Sequence, residues 1–280
     1  MKTASRIYVS LAFALLLASC TSSPYQRQAA LAHKAKFRAL TITTNGVEIK
    51  AFANRKLETS NSHIHIYLEG DGRPWENGAT PASNPNSRDL LALQLMRQDS
   101  APSVYLNRPC YGHANIPNYC EPSMWTSGRF SEYVVASLNQ ALDQLKTRFG
   151  VTHFWLIGHS GGGALAVLLA KRRQDVESII TLAGNLDHQA WTQHHHYLPL
   201  ETSLNPIDAF PLSSQISRWH IFGEKDEVIP HEIFEAASNK DTGANIIIEK
   251  KFNHHCCWQK RWPYYLDIIQ KHHPPINFAP

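Results

Sequence analysis

Past residue 18 the 280-residue sequence has no apolar run near the roughly 20 residues that a membrane-spanning helix needs. It has no internal repeat, no low-complexity linker, no dinucleotide-type glycine pattern and no Walker lysine. Repeat architectures and phosphate-binding glycine turns therefore lose their support. Charge of one sign is also scarce: the formal excess of +4 falls to +2 once Lys2 and Arg6 are set aside. Nothing remains that reads as a nucleic-acid footprint, so no nucleic-acid partner is expected. Cysteine is sparse, at five. Apart from Cys20, the set Cys110, Cys120, Cys256 and Cys257 is even, as suits an exported protein in which disulfides persist. A bridge from Cys110 to Cys120 would pin the loop holding Tyr111, Gly112 and Pro117. The neighbours Cys256 and Cys257 can pair with each other, cross to the first two, or stay reduced.

What is present begins with an export signal. Lys2 and Arg6 precede an apolar stretch over residues 7–18, too short to span a bilayer and of the right length for a signal peptide over residues 1–19. Leu17-Ala18-Ser19-Cys20 resembles the lipobox of bacterial lipoproteins, which implies lipidation of Cys20 and membrane attachment through it. Thr21 in place of an aspartate implies the outer membrane, facing the periplasm. Residues 20–40 are expected to form a polar tether, partly helical, and residues 41–280 one domain with a well-buried core.

Within that domain, residues 40–44 and 47–53 alternate with period two about Asn45-Gly46, a hairpin signal. Residues 63–68 make a third strand that ends in Glu69-Gly70-Asp71-Gly72. Helical spacing is expected over 87–97, a strand over 103–106, and an amphipathic helix over 131–149, where Val134, Leu138, Ala141, Leu142 and Leu145 recur every three or four positions. Ser131 caps that helix and Gly150 ends it. Strands at 152–157, 178–182, 219–222 and 245–249 then alternate with helices at 161–172, 232–237 and 262–271. The alternation predicts an α/β fold: a mostly parallel sheet, helices on both faces, an antiparallel hairpin in front.

The chemistry concentrates at Gly158-His159-Ser160-Gly161-Gly162. A serine at a sharp strand-to-helix turn is held out at the carboxyl edge of a sheet, flanking glycines let neighbouring backbone approach, and the helix N-terminus faces a developing oxyanion. Such a hydroxyl needs a base, and the base needs an orienting acid. The pattern in this context resembles the α/β-hydrolase superfamily, whose order along the chain is serine, acid, histidine. The resemblance implies Asp226, in the loop after the 219–222 strand, as the acid, with Asp187 as the alternative. It implies His254, in Phe252-Asn253-His254-His255, as the base, with His255 as its rival. It also implies an oxyanion hole from the backbone N–H groups of Gly161 and Asp71, the Asp71 carboxylate turned away; here Glu69 stands where many lipases carry histidine. The stretches YLEGDG, NRPCYG, MWTSGRFSEYVV, NLDHQAWT and HCCW resemble a group of poorly characterised bacterial hydrolases, many of them predicted lipoproteins.

Two functions follow as expectations. One is a lipid-anchored serine hydrolase acting on a small-molecule ester or acyl substrate through an acyl-enzyme, with no cofactor and no metal. The other is an envelope lipoprotein that uses the scaffold to bind without turnover. His194-His195-His196 invites a metal reading, but consecutive side chains diverge where a site needs convergent ligands. A small cap is expected at 185–210, with His188, Trp191 and Tyr197 as candidate pocket residues, whereas Trp125, Arg129 and Phe130 read as packing.

Overall fold

Asn45 and Gly46 turn the chain back on itself. Both have positive φ, 46° and 81°, as a type I′ hairpin turn requires. Strands β1 (Arg38–Thr44) and β2 (Val47–Ala53) therefore pair antiparallel with Thr44 opposite Val47. The computed structural model describes residues 23–59 and 62–272; the expected signal peptide and Cys20 lie outside them.

The segment expected as a tether is docked on the domain. Helix α1 (Pro24–Lys34) opens with a capping box between Ser23 and Gln26, two orphan N–H groups satisfied at once. Gln28 is buried and donates from Nε2 to the Tyr105 hydroxyl (3.1 Å) and to Asn107 Oδ1 (3.0 Å).

After β3 (His63–Leu68), β4 (Trp75–Glu76) and β5 (Thr80–Pro81) form a small separate hairpin. Helix α2 (Leu91–Met96), β6 (Ser103–Leu106), α3 (Glu132–Phe149), β7 (His153–His159), α4 (Gly161–Ala170) and β8 (Val176–Leu182) follow. The chain closes with α5 (His188–His194), β9 (Ser217–Gly223), α6 (His231–Ser238), β10 (Asn245–Glu249) and α7 (Trp258–His272). The eight-stranded sheet has the order β1-β2-β6-β3-β7-β8-β9-β10, parallel from β6 onward. Every residue of β8 is buried, as in sheets covered on both faces. One face packs Val134, Leu138, Leu165 and Leu169 of α3 and α4. The other packs Leu93, Met96, Trp258 and Trp262 of α2 and α7 against Tyr67, Trp155 and Trp219.

Helix α3 follows its sequence signals: Ser131 Oγ accepts from Val134 N, and Gly150 ends it at φ 65°. Helix α2 is shorter than the expected 87–97. Leu90 turns left-handed (φ 49°) before it, and the Glu69 carboxylate takes the Ala92 N–H from the sheet side at 3.1 Å, so the helix starts where that cap lies. Residues 185–210 do not form a separate lobe: α5 leads into a 3-10 turn, and Leu186, Leu200, Ile207 and Ala209 join the main core. Cys110 is bonded to Cys120, and Cys256 to Cys257.

The chain steps from β3 to β6 on one side and meets β7 on the other. This reversal opens a crevice between the carboxyl ends of β3 and β7, the place where open α/β sheets bind ligands.

Candidate active site

Ser160 stands in that crevice, between β7 and α4. Its backbone has φ 53° and ψ −122°, a conformation that costs a non-glycine residue of order 1–3 kcal/mol and persists only where the surroundings enforce it. They do: Ser160 N donates to Leu182 O (2.9 Å), and Ser160 O accepts from Gly163 N (2.9 Å) and Asn185 N (3.1 Å). Gly158 makes the turn sterically feasible, since a Cβ there would lie 2.1 Å from Gly162 O.

The Ser160 hydroxyl lies 3.0 Å from His254 Nε2, and His254 Nδ1 lies 2.8 Å from Asp226 Oδ2. A carboxylate only accepts, so Nδ1 carries the proton and Nε2 is left to accept from the serine. Asp226 is buried, and its other oxygen accepts from Val228 N and Ile229 N at 2.9 and 2.8 Å. His254 is held by its own carbonyl, which accepts from Trp258 Nε1 (3.1 Å) and His159 Nε2 (3.0 Å). His159 stays neutral: burial and the neighbouring His254 push its pKa down to about 3.

The structure places the two alternatives elsewhere. Asp187 caps α5, accepting from Gln189 N, Ala190 N and Asn205 Nδ2. His255 is 63% exposed and faces Asp89 at 3.3 Å.

Beside the serine, the N–H groups of Gly161 and Asp71 find no acceptor among the described residues. The Asp71 carboxylate is not turned away, contrary to expectation. Oδ1 lies against Gly161, where a Cβ would sit only 1.8 Å from it. Two guanidinium groups explain this placement: Oδ1 is 2.8 Å from Arg108 Nη2 and Oδ2 is 2.8 Å from Arg129 Nη1. Burial pushes the Asp71 carboxyl up, but the two arginines outweigh it and hold the pKa below its ordinary value. Both arginine side chains are only 3% exposed. The sequence pattern does not single out Arg108 and presents Arg129 as packing; the signal for both is that they fall in NRPCYG and MWTSGRFSEYVV, two of the stretches that resemble bacterial hydrolases. Glu69 has a structural task that suits its departure from histidine. It is buried, accepts from Ala92 N and Gly70 N, and burial pushes its pKa up to about 7.

Asp71, Arg129, Ser160, His254, Trp191 and Val228 are among the residues that line a cavity of about 240 Å³. Trp191 Nε1 and His195 Nε2 both donate to Val228 O (2.8 and 2.9 Å), tying α5 to the acid loop. A larger concavity of about 920 Å³, bordered by Lys34, Lys36 and Arg55, contains none of these groups.

A second hydroxyl, imidazole and carboxylate chain crosses the sheet. Thr181 Oγ1 donates to His220 Nδ1 (2.8 Å), and His220 Nε2 donates to Asp241 Oδ2 (3.1 Å). Asp241 also pairs with Arg218 Nε at 3.3 Å. All four side chains are buried.

Residues 91–199 match the profile of the family described as alpha/beta hydrolase fold. No curated protein matches the chain in sequence. Among solved structures, an esterase of Pyrococcus furiosus is similar with a TM-score of 0.61 at 11% identity, over 86% of this chain and 95% of that one. Est1E from Butyrivibrio proteoclasticus gives 0.57 at 14%, over 83% and 99%. A membrane phospholipase A described as a bacterial virulence factor gives 0.57 at 14%, over 95% and 99%. With a parallel sheet, a serine turn at its switch point and these likenesses in hand, the chain has the α/β-hydrolase fold.

Proposed function

We propose that the protein is a serine hydrolase that cleaves a carboxylic ester through an acyl-Ser160 intermediate. The observation that carries the proposal is the unbroken chain from Asp226 through His254 to Ser160, at 2.8 and 3.0 Å, beside two free N–H groups. In this reading His254 Nε2 takes the Ser160 proton as Oγ attacks the ester carbonyl, and returns it to the departing alcohol oxygen as the tetrahedral intermediate collapses. Asp226 holds the ring in that tautomer and stabilises the imidazolium, while Gly161 N–H and Asp71 N–H bind the oxyanion. Water then repeats the sequence and releases the acid. No step calls for a metal or a cofactor.

The small cavity supports a short or polar acyl group over a long chain. The esterases and the phospholipase among the structural neighbours support ester hydrolysis as the reaction type. We further propose attachment of the mature protein to the outer membrane through a lipid on Cys20, facing the periplasm.

A fluorophosphonate probe tests the chemistry. It should label the folded wild type on Ser160 and leave Ser160→Ala unlabelled, and p-nitrophenyl esters of increasing chain length should be cleaved fastest at the short end. Folded protein that is neither labelled nor active on any ester would instead favour a binding lipoprotein on the same scaffold. Labelled palmitate should enter the wild type and not Cys20→Ser.

A further inference from the structure

Residue 71 is fixed at every polar atom but one. Its carbonyl accepts from the Tyr111 hydroxyl at 2.9 Å. Its carboxylate is shared between Arg108 and Arg129, at 2.8 Å each. Its N–H alone has no acceptor among the described residues.

The clamp is itself anchored. Arg129 Nε donates to Thr126 O at 2.7 Å, and Arg108 Nη2 donates to Glu69 O at 3.2 Å, gripping the same loop two residues earlier. The Arg108 guanidinium lies 5.7 Å from the Tyr111 ring centre and 5.4 Å from that of Phe130. The Cys110 to Cys120 disulfide closes the loop that carries Tyr111, two residues after Arg108. Two buried guanidiniums around one carboxylate are costly to desolvate, so a hydrophobic cluster would serve stability as well. The placement of the Asp71 carboxylate and the Arg108 guanidinium against Gly161 is what a structural role leaves unexplained.

We infer that Arg108, Arg129 and Tyr111 are positioning residues, which hold the 69–72 loop so that the Asp71 N–H stays aimed at the oxyanion formed during attack on Ser160. The inference rests on the proposed hydrolase reading, and a set of variants separates the two. In Asp71→Asn the side chain keeps its shape and the backbone keeps its N–H, but the ionic grip is gone. If the cluster acted through its electric field, loss of one negative charge beside the oxyanion would raise kcat. If it acts by positioning, kcat should fall about 100-fold, the size of one lost oxyanion donor, with KM changed less than threefold. Tyr111→Phe removes only the hydroxyl on the Asp71 carbonyl and strands no charge. It should lower kcat about fivefold to tenfold with an unchanged melting temperature, so the test survives if Asp71→Asn fails to fold.

Affinity for a trifluoromethyl ketone, which forms a tetrahedral adduct on serine, should drop in step with kcat/KM in both variants, and Arg129→Lys should recover part of the loss seen in Arg129→Met. Unchanged or raised kcat in Tyr111→Phe and Asp71→Asn would overturn the inference while fluorophosphonate labelling of wild-type Ser160 keeps the hydrolase reading. Wild type that neither labels nor turns over would sink both.

Discussion

Two hydroxyl, imidazole and carboxylate chains are built on one sheet from the same three groups, with the ring nitrogens exchanged: Nε2 faces the hydroxyl in one and Nδ1 in the other. Ser160, His254 and Asp226 are spaced at 3.0 and 2.8 Å; Thr181, His220 and Asp241 at 2.8 and 3.1 Å. They differ in what surrounds them. Thr181 is the next-to-last residue of β8, wholly buried, and Asp241 already neutralises Arg218. Ser160 projects from the end of β7 into a cavity beside two N–H groups that have no acceptor among the described residues. A relay of hydrogen bonds can thus be a core rivet or a candidate nucleophile, and access together with oxyanion donors decides which.

The sharpest break in that comparison is Ser160→Ala, which should lower kcat on a p-nitrophenyl ester about 10⁴-fold to 10⁶-fold with melting unaffected. Next is Asp226→Asn, for which steady-state kinetics should show a loss of about 10³-fold to 10⁴-fold, because the amide favours the wrong imidazole tautomer. The matching change in the buried chain, Asp241→Asn, should cost about 3–5 kcal/mol by urea denaturation, since Arg218 is left buried without its anion. Its activity per folded molecule should stay within a few-fold of wild type. Thr181→Val keeps the shape and deletes the donor to His220; the expected loss is about 1–3 kcal/mol, again with kcat kept.

The smallest effect concerns pH. Burial raises the Glu69 carboxyl from 4.5 to about 7, so the folded protein retains a proton that the unfolded chain gives up. The stability this contributes is fully present below pH 4.5 and is lost as pH rises through about 7. Glu69→Gln should flatten that slope in melting curves recorded across the window.

Much of the architecture is legible because local and global signals agree. Asn45-Gly46 specifies its hairpin, the spacing from Val134 to Leu145 specifies α3, and the glycine-flanked Ser160 sits between an apolar strand and an apolar helix. The resemblance to the α/β-hydrolase order nominates Ser160, Asp226 and His254 with Asp187 and His255 left open, and the fold brings the first three into contact. What stays hidden is polar and long-range. Arg129 reads as packing and Arg108 carries no pattern of its own, and only the arrival of Asp71 from another loop gives both a charged reason to be buried. Gln28 has no place in an apolar pattern, yet its two hydrogen bonds dock α1. The early start expected for α2 fails for the same reason, since its cap comes from Glu69 across the sheet and not from a neighbour in sequence.

That docking has a directional consequence. Gln28 meets Tyr105 and Asn107 at the carboxyl end of β6, whereas α1 finishes where β1 begins, at the opposite edge. Ser23, which caps α1, therefore stands on the Ser160 side of the sheet. Cys20 is three positions before it in the sequence. Under the proposed lipidation of Cys20, the short stretch of sequence between the lipid and Ser23 would keep the mouth of the crevice near the headgroup layer and make the bilayer, more than the surrounding fluid, the reservoir from which it feeds.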